Sequence, residues 1–437
     1  MRFSARLAAD ATGGELVGAD VALDGASFDS RTLRPGQLFV PLVAERDGHE
    51  FIEAAVAAGA PAYLTARPVE QAAASAIAVE DTARALLDLG RWGRDRLAGL
   101  GGRVVGVTGS VGKTSVKDLA AAALGARWRT ASNPRSYNNE QGLPVAILGA
   151  DDATEALVLE MGMRGPGEIA RLCEVGRPTI GVVTVVAAAH TERLDGLDGV
   201  ARAKAELVDA LPADGTAVLN ADDPRVAAMA ARARGRVLTF GRSPSADVAV
   251  ADLSLSGDEA RAAFTIVTPW GRAPVRLTVP GAHMAVNAAA ALAVALVCEV
   301  PLDAAADAVS GAALSPWRME LRRTTGGALV LNDAYNANPT SMRAALETLA
   351  ALPGPRRRAV VGVMAELDDP GPEHLAIAEE AARLDIELIA VGTDLYGIAP
   401  VADPVAAVGP LGPGVAVLVK GSRVAGLEAV VARLLDA

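Results

Sequence analysis

The plainest chemistry in this chain sits in eight consecutive residues, Thr108-Gly109-Ser110-Val111-Gly112-Lys113-Thr114-Ser115. Gly109 and Gly112 allow a backbone turn tight enough to aim successive N–H groups at one anion. Lys113 offers a cation to β- and γ-phosphate oxygens, and the Thr114 hydroxyl is the kind of ligand Mg²⁺ takes from such a loop. The strict phosphate-loop pattern has glycine where this chain has Val107, and Gly106 stands one residue early. A glycine-rich turn with an incidental lysine is the simpler alternative. The apolar run before the loop and the helical pattern after it favour nucleotide binding, because a helix N-terminus adds partial positive charge at the phosphate.

A metal on that phosphate needs further oxygen ligands. Glu160 ends the run Leu157-Val158-Leu159 and stands where such a ligand belongs, although a solvated acid at a strand end is the commoner case. His190 is one of four histidines and follows a second apolar run; a lone histidine is more often structural than a ligand. Lys204, within Arg202-Ala203-Lys204-Ala205-Glu206, reads by itself as a surface lysine on a helix predicted over 199–211. In the last third, reactive groups stand just after apolar runs: Asp333, Glu366, Thr393 with Asp394, and Lys420 with Ser422. Ligands of open α/β sheets gather at the carboxyl ends of strands.

These positions need elements to hold them. Strands are predicted at 104–108, 157–160, 180–186, 217–220 and 237–240, alternating with helical segments, which implies a mostly parallel sheet covered by helices. Residues 247–280 break the alternation and read as an antiparallel β insertion. The final third returns to α/β, with strands at 329–332, 359–363, 388–391 and 415–419. The first hundred residues form a smaller α/β unit: a short strand at 37–42 and helices over 51–59 and 83–96. Gly99-Leu100-Gly101-Gly102 reads as a linker-like break. A chain of 437 residues suggests about three domains, and the boundaries expected are 1–99, 100–313 and 314–437.

The composition narrows the function. The chain is 51% hydrophobic and 21% charged, ordinary for a globular protein, and with 3% aromatics its cores must be filled by Ala, Val and Leu. A formal charge of −11 argues against a general binder of nucleic acid or anionic membrane. Cys173 and Cys298, the two cysteines, lie far apart without metal spacing, so neither a disulfide scaffold nor a structural zinc is expected. Residues 1–20 lack a signal-peptide core, and the uncharged run 284–298 is too short to span a bilayer. A cytoplasmic protein is expected.

Taken in order, the motifs resemble those of the Mur ligase family over nearly the whole chain. The first third carries Asp29-Ser30-Arg31, Pro35-Gly36-Gln37-Leu38-Phe39-Val40 and Asp47-Gly48-His49-Glu50-Phe51. The middle adds the phosphate loop, Tyr137-Asn138-Asn139-Glu140-Gln141-Gly142, Glu160-Met161-Gly162, Ala189-His190, Lys204, Asn220-Ala221-Asp222-Asp223-Pro224 and Gly281-Ala282-His283 followed by Asn287. The last third adds Trp317-Arg318-Met319-Glu320, the run from Asn332 to Pro339, and Lys420-Gly421-Ser422-Arg423. Met284 stands where many relatives have Asn, and Ser115 replaces a common Thr. The fold implied is α/β in three domains: a small N-terminal α/β domain for a UDP-sugar, a central P-loop ATPase domain with a parallel sheet, and a C-terminal Rossmann-like domain for the amine substrate.

The activity implied is ATP-driven amide formation through an acyl phosphate. The Asp333–Pro339 segment resembles that of the branch adding D-Ala-D-Ala to a UDP-MurNAc-tripeptide in peptidoglycan synthesis. The Asp-Asn-Pro-Arg run typical of relatives that add a diamino acid is missing. Folylpolyglutamate synthase is a further cousin, disfavoured by the Asp29-Ser30-Arg31 block. A non-enzymatic nucleotide-binding protein would keep the phosphate loop but need not keep Glu160, His190 and Lys204. The resemblance assigns ATP binding to Gly109, Ser110, Val111, Gly112, Lys113, Thr114, Ser115, Asn287, Arg318 and Asp333. It assigns Mg²⁺ to Thr114, Glu160, His190 and Lys204, and catalysis to Lys113, Lys204 and His190. Lys204 would first be carbamylated by CO₂ to an anionic oxygen ligand, which requires a neutral amine, so burial or nearby cations must depress its pKa. Ser30, Arg31, Asn138, Asn139, Asn336, Lys420 and Ser422 are expected to contact substrates. A monomer acting on small molecules is expected, without nucleic acid or membrane insertion.

Overall fold

The computed structural model describes residues 1–69, 74–134, 137–188, 194 and 196–436. Three larger sheets follow one another along the chain, with a two-stranded pair, Arg2–Ser4 and Ala22–Asp24, at the start. The first larger sheet has five short strands, ordered Glu15–Val17, Ser75–Ala78, Ala62–Thr65, Leu38–Phe39 and Ala26–Ser27. The strand expected at 37–42 is thus only Leu38–Phe39. The helix expected at 51–59 is a 3₁₀ turn, Gly48–Phe51, leading into Ile52–Ala57. Helix Thr82–Arg96 begins where the Asp81 carboxylate accepts the N–H groups of Ala83 and Arg84. Its Leu86 and Leu89 are buried in one core with Leu143, Ile147 and Leu148 of the middle third.

The second sheet has nine strands. Its order is Gly271–Pro280, Arg261–Thr268, Val248–Ser256, Arg236–Gly241, Thr216–Asn220, Ile180–Val183, Val104–Thr108, Ala156–Glu160 and Thr130–Ser132. All neighbours are parallel from Thr130–Ser132 to Val248–Ser256, and the last two pairings are antiparallel. The expected insertion at 247–280 is therefore an extension of the sheet. Val104–Thr108 is buried along its whole length, as a strand covered on both faces must be. Gly271–Pro280 largely alternates buried and exposed residues, as a one-sided edge does. Val104–Thr108 lies between Ala156–Glu160 and Ile180–Val183. The chain leaves it for the far edge and returns on both sides, which opens a crevice at the strand ends. The alanine-rich helix His283–Val297 packs on the phosphate-loop helix Lys113–Gly125.

The third sheet has the order Glu320–Arg323, Leu329–Asn332, Val415–Lys420, Arg356–Val361 and Glu387–Ala390, parallel except for the first pair. Asn338 and Ser341 form a reciprocal cap on helix Pro339–Ala351, which fixes the loop just before it. No helix among the described residues is long and apolar enough to cross a membrane.

Candidate active site

The phosphate loop is braced from behind. Ser110 N–H donates to Val185 O at 2.7 Å, Ala187 N–H donates to Ser110 Oγ at 3.0 Å, and Thr184 Oγ1 donates to the Val111 carbonyl at 2.5 Å. Asn220 in turn donates to Thr184 O, and Asp223 accepts from Val186 N–H. These duties explain why the strand expected to reach residue 186 stops at Val183: the next residues turn their polar groups to the loop. Gly109 has φ +151°, and a Cβ there would lie 1.8 Å from Thr184 Oγ1. At Gly112, φ +84°, a Cβ would lie 2.7 Å from Asn287 Oδ1. Both glycines are demanded by close neighbours as well as by the turn. Asn287 therefore lies directly over the loop, its amide donating to Met284 Sδ at 3.4 Å, so the methionine at this unusual place is a partner of Asn287.

Thr114, in the first turn of helix Lys113–Gly125, donates its hydroxyl to Glu160 Oε2 at the carboxyl end of strand Ala156–Glu160, at 2.6 Å, and both residues are buried. The other carboxylate oxygen accepts from Asn138 Nδ2 at 2.7 Å. Asn133 pins the same glutamate by its main chain, accepting from Glu160 N–H at 2.7 Å and donating to Glu160 O at 3.0 Å. Sequence reasoning missed Asn133. It follows a strand of only three residues, Thr130–Ser132, too short to show a period. Lys113 Nζ donates to Gly109 O at 2.7 Å. Burial lowers its pKa, opposed by Glu160 and Glu366 and assisted by Arg318.

Lys204 lies on helix Gly196–Asp209 and is 2% exposed, not the surface lysine its local sequence suggests. Among the described residues its ammonium has no hydrogen-bond or ion-pair partner. Burial, with a further push from Lys113, holds its pKa well below the ordinary lysine value. His190 lies outside the described residues.

The last third closes the other side. Arg318 stacks its guanidinium on Tyr335 at 4.1 Å. It sits between Trp317 and Met319, both in the left-handed region at φ +63° and +52°. Lys420 Nζ pairs with Asp333 Oδ2 at 2.5 Å and donates to Asn336 O at 2.8 Å. The 2%-exposed Lys420 is thus committed within the site, which makes it a brace for Asp333 before it is a grip for substrate. Ser422 Oγ accepts from Ala365 N–H at 2.9 Å and donates to Ala337 O at 3.3 Å.

These groups line one cavity of about 1110 Å³. It gathers the described residues to which the resemblance assigns a role except Gly109, Ser30 and Arg31, and the strand-end pair Thr393 and Asp394 is not among its lining residues. Arg31 is exposed and paired with Asp29 at 2.8 Å, and none of Asp29, Ser30 and Arg31 lines this cavity. Glu366, noted only as a strand-end group, does line the cavity.

The Mur ligase middle domain pattern matches residues 107–295, and the Mur ligase glutamate ligase domain pattern matches 317–433. The UDP-N-acetylmuramoyl-tripeptide--D-alanyl-D-alanine ligase of Mycobacterium bovis is 42% identical over 396 residues, covering 84% of this chain and 77% of that protein. The chain belongs to the Mur ligase family. Among solved Mur ligases, MurF from Acinetobacter baumannii superposes with a TM-score of 0.89 at 28% identity, covering 100% of this chain and 99% of the other. MurF from Thermotoga maritima, solved with ADP, gives 0.81 at 27% identity, covering 94% and 97%. The braced loop, Asn287 over it and Arg318 across the cavity are thus brought together from two sheets.

Proposed function

We infer that the chain joins D-alanyl-D-alanine to a UDP-N-acetylmuramoyl-tripeptide with ATP, in cytoplasmic synthesis of a peptidoglycan precursor. The observation that carries this reading is the cavity, where the phosphate loop meets Arg318, Asp333 and Ser422 from the last third. The tripeptide carboxylate attacks the γ-phosphate of ATP to form an acyl phosphate, and the dipeptide amine then displaces phosphate from the acyl carbon. The first step brings two anions together, so fixed positive charge is its main requirement. Lys113 and the loop N–H groups hold the β- and γ-phosphates, and Arg318 adds a bidentate cation from the opposite side. Asn138 and Asn139 face the peptide end. Arg423, which lines the same cavity and stacks on Trp317 at 4.6 Å, is the candidate for the dipeptide carboxylate, since Lys420 is already paired.

The residues also fit Mg²⁺. Thr114 Oγ1 and Glu160 Oε2 are a buried all-oxygen pair, the donor type this ion prefers. His190 and a carbamylated Lys204 complete the proposed set. Carbamylation is supported by a buried lysine whose amine is held toward neutrality. Bound Mg²⁺ supplies charge neutralisation for phosphoryl transfer. We assign 1–99 to the sugar nucleotide, 100–313 to ATP and 314–437 to the amine, in a protein that works as a monomer.

Amide formation with D-Ala-D-Ala, D-Ala, L-Lys or meso-diaminopimelate as donor tests the reading. D-Ala-D-Ala should be preferred by far with UDP-MurNAc-tripeptide as acceptor. A better reaction between a diamino acid and UDP-MurNAc-dipeptide would overturn the substrate assignment and leave the family intact.

A further inference from the structure

The strand that carries Glu160 outlasts its neighbour at the sheet edge. Ala156–Glu160 pairs with Val104–Thr108 as far as Glu160, but its pairing with Thr130–Ser132 ends where Val158 meets Ser132. Buried main-chain groups need hydrogen-bond partners, and at the buried Glu160 the neighbouring strand no longer supplies them on that edge. The Asn133 side chain takes the place of the missing strand. An amide carries both a donor and an acceptor, like the peptide group it imitates. Its Oδ1 accepts from Glu160 N–H at 2.7 Å, and its Nδ2 donates to Glu160 O at 3.0 Å.

The same amide reaches the loop that holds the carboxylate. Nδ2 also donates to Tyr137 O at 2.8 Å. The next residue, Asn138, donates its amide to Glu160 Oε1 at 2.7 Å, and its carbonyl accepts from Gly162 N–H at 2.8 Å. The Asn133 carbonyl accepts in turn from Lys117 Nζ at 2.9 Å, and Lys117 pairs with Asp118 at 3.1 Å. Asn133 and Lys117 are each 1% exposed. A lysine is buried at modest cost only when its charge is paired and hydrogen-bonded, as this one is. Lys117 lies one turn after Thr114 on helix Lys113–Gly125. The phosphate-loop helix therefore holds Glu160 twice. Thr114 bonds its carboxylate, and Lys117, through Asn133, fixes its main chain.

We propose that Asn133 is a positioning residue for the cation of phosphoryl transfer, held in place by Lys117. This rests on the assignment of Mg²⁺ to Thr114 and Glu160 above and deepens it. Mg²⁺ demands near-ideal ligand geometry, so the carboxylate must be presented to the phosphate loop in one direction. Asn133 sets that direction by fixing the strand end from which the side chain springs. Through Tyr137 it also fixes the loop whose Asn138 orients the second carboxylate oxygen.

Mn²⁺ is the probe, read by its electron paramagnetic resonance signal in the full-length protein with ADP. Asn133→Leu nearly keeps the volume and removes the amide. It should raise the Mn²⁺ dissociation constant roughly 10- to 100-fold, the loss typical of a residue that orients a metal ligand. Binding of ADP with EDTA present should stay within about twofold of the wild type. Asn133→Ser keeps a hydroxyl that can accept from Glu160 N–H, so its loss should be smaller; it gives the same reading should Asn133→Leu fail to fold. Lys117→Met should shift Mn²⁺ affinity in the same direction by a smaller factor. The Mg²⁺ concentration for half-maximal turnover should rise in step. Metal-free ADP binding that falls as far as Mn²⁺ binding would make Asn133 a support of the fold alone and overturn the proposal. Glu160→Gln separates this proposal from the metal assignment beneath it. If Glu160→Gln weakens Mn²⁺ binding while the folded Asn133 variants bind it like the wild type, the positioning role falls and the metal assignment stands. If Glu160→Gln leaves Mn²⁺ affinity unchanged, the metal assignment falls and the proposal with it.

Discussion

The first and last thirds of the chain meet the central sheet in opposite ways. On the N-terminal side the contact is a shared apolar core: Met1, Phe3, Leu86 and Leu89 are buried together with Leu143, Ile147 and Leu148. Glycines let the helices close up, since a Cβ on Gly90 would lie 2.8 Å from Pro144 Cβ and one on Gly93 2.9 Å from Leu148 Cδ2. On the C-terminal side the sheets face each other across a cavity lined by Lys113, Arg318, Asp333 and Lys420. The connection there is thin. Ser315 N–H donates to Asp118 on the phosphate-loop helix at 2.7 Å, and Ala260, at the tip of a hairpin, is buried in the third core beside Met319 and Leu329. Separating the first face exposes apolar surface at roughly 25 cal/mol per Å², whereas opening the second admits water to groups that are already polar. The expected outcome of this difference is that the first two thirds move as one body and the last third closes on substrates, a way to shield a reactive acyl phosphate from water; unchanged scattering profiles on adding substrates to an open free form would contradict it.

The largest effect separates function from stability on the cavity side. Lys113→Ala should lower ligation by about 1,000-fold or more, because the charge lost is one that phosphoryl transfer requires. Its unfolding free energy should change by less than about 1 kcal/mol, since one hydrogen bond to Gly109 O is removed. Steady-state rates at saturating ATP and a urea titration read the two quantities, and near-normal turnover would remove Lys113 from the mechanism. Leu89→Ala probes the apolar face and should behave the other way round. Leu89 is fully buried in the shared core, so truncation should cost about 2–5 kcal/mol. Turnover per folded molecule should stay close to that of the wild type. A loss below 1 kcal/mol would mean that the two thirds are not joined through this core.

The two faces also differ in how readable they are from sequence. The phosphate loop is contiguous, so its strand, glycines, lysine and helix can be seen together, and the buried parallel strands stand out as apolar runs. Helix Thr82–Arg96 is legible for the same reason, as one contiguous segment expected at 83–96. The cavity is different because its pairings join distant positions. Lys420 and Asp333 are 87 residues apart, and nothing local says that the lysine braces the acid. Lys204 looks like a surface residue until the helix is placed against the sheet. Strand 180–186 was too long because apolar composition does not reveal that 184–187 serve the loop. Glu366 is visible in sequence as an acid after an apolar run, but its left-handed backbone, φ +67°, is not encoded by composition.

The gentlest probe of the contrast is pH, because the cavity side holds a titratable group that an apolar face does not need. His283 opens the helix packed on the phosphate-loop helix and faces Asp333 and Lys420 across the cleft. Burial pushes its pKa down to about 4; Asp333 opposes that shift and Lys420 adds to it. The folded protein therefore keeps the ring neutral where an unfolded chain, with a histidine pKa near 6.5, takes up a proton. Below about pH 6.5 the unfolded state binds more protons, so this contribution to stability falls as pH drops toward 4 and levels off below it. The slope from one such group is at most about 1.4 kcal/mol per pH unit. His374, whose pKa burial also lowers, adds a slope of the same sign. His283→Asn should remove its own share and leave that of His374, giving a shallower decline between pH 6.5 and 4 than the wild type. Urea titrations of both proteins across that window decide the matter: parallel curves would mean that the ring is not held neutral in the cleft.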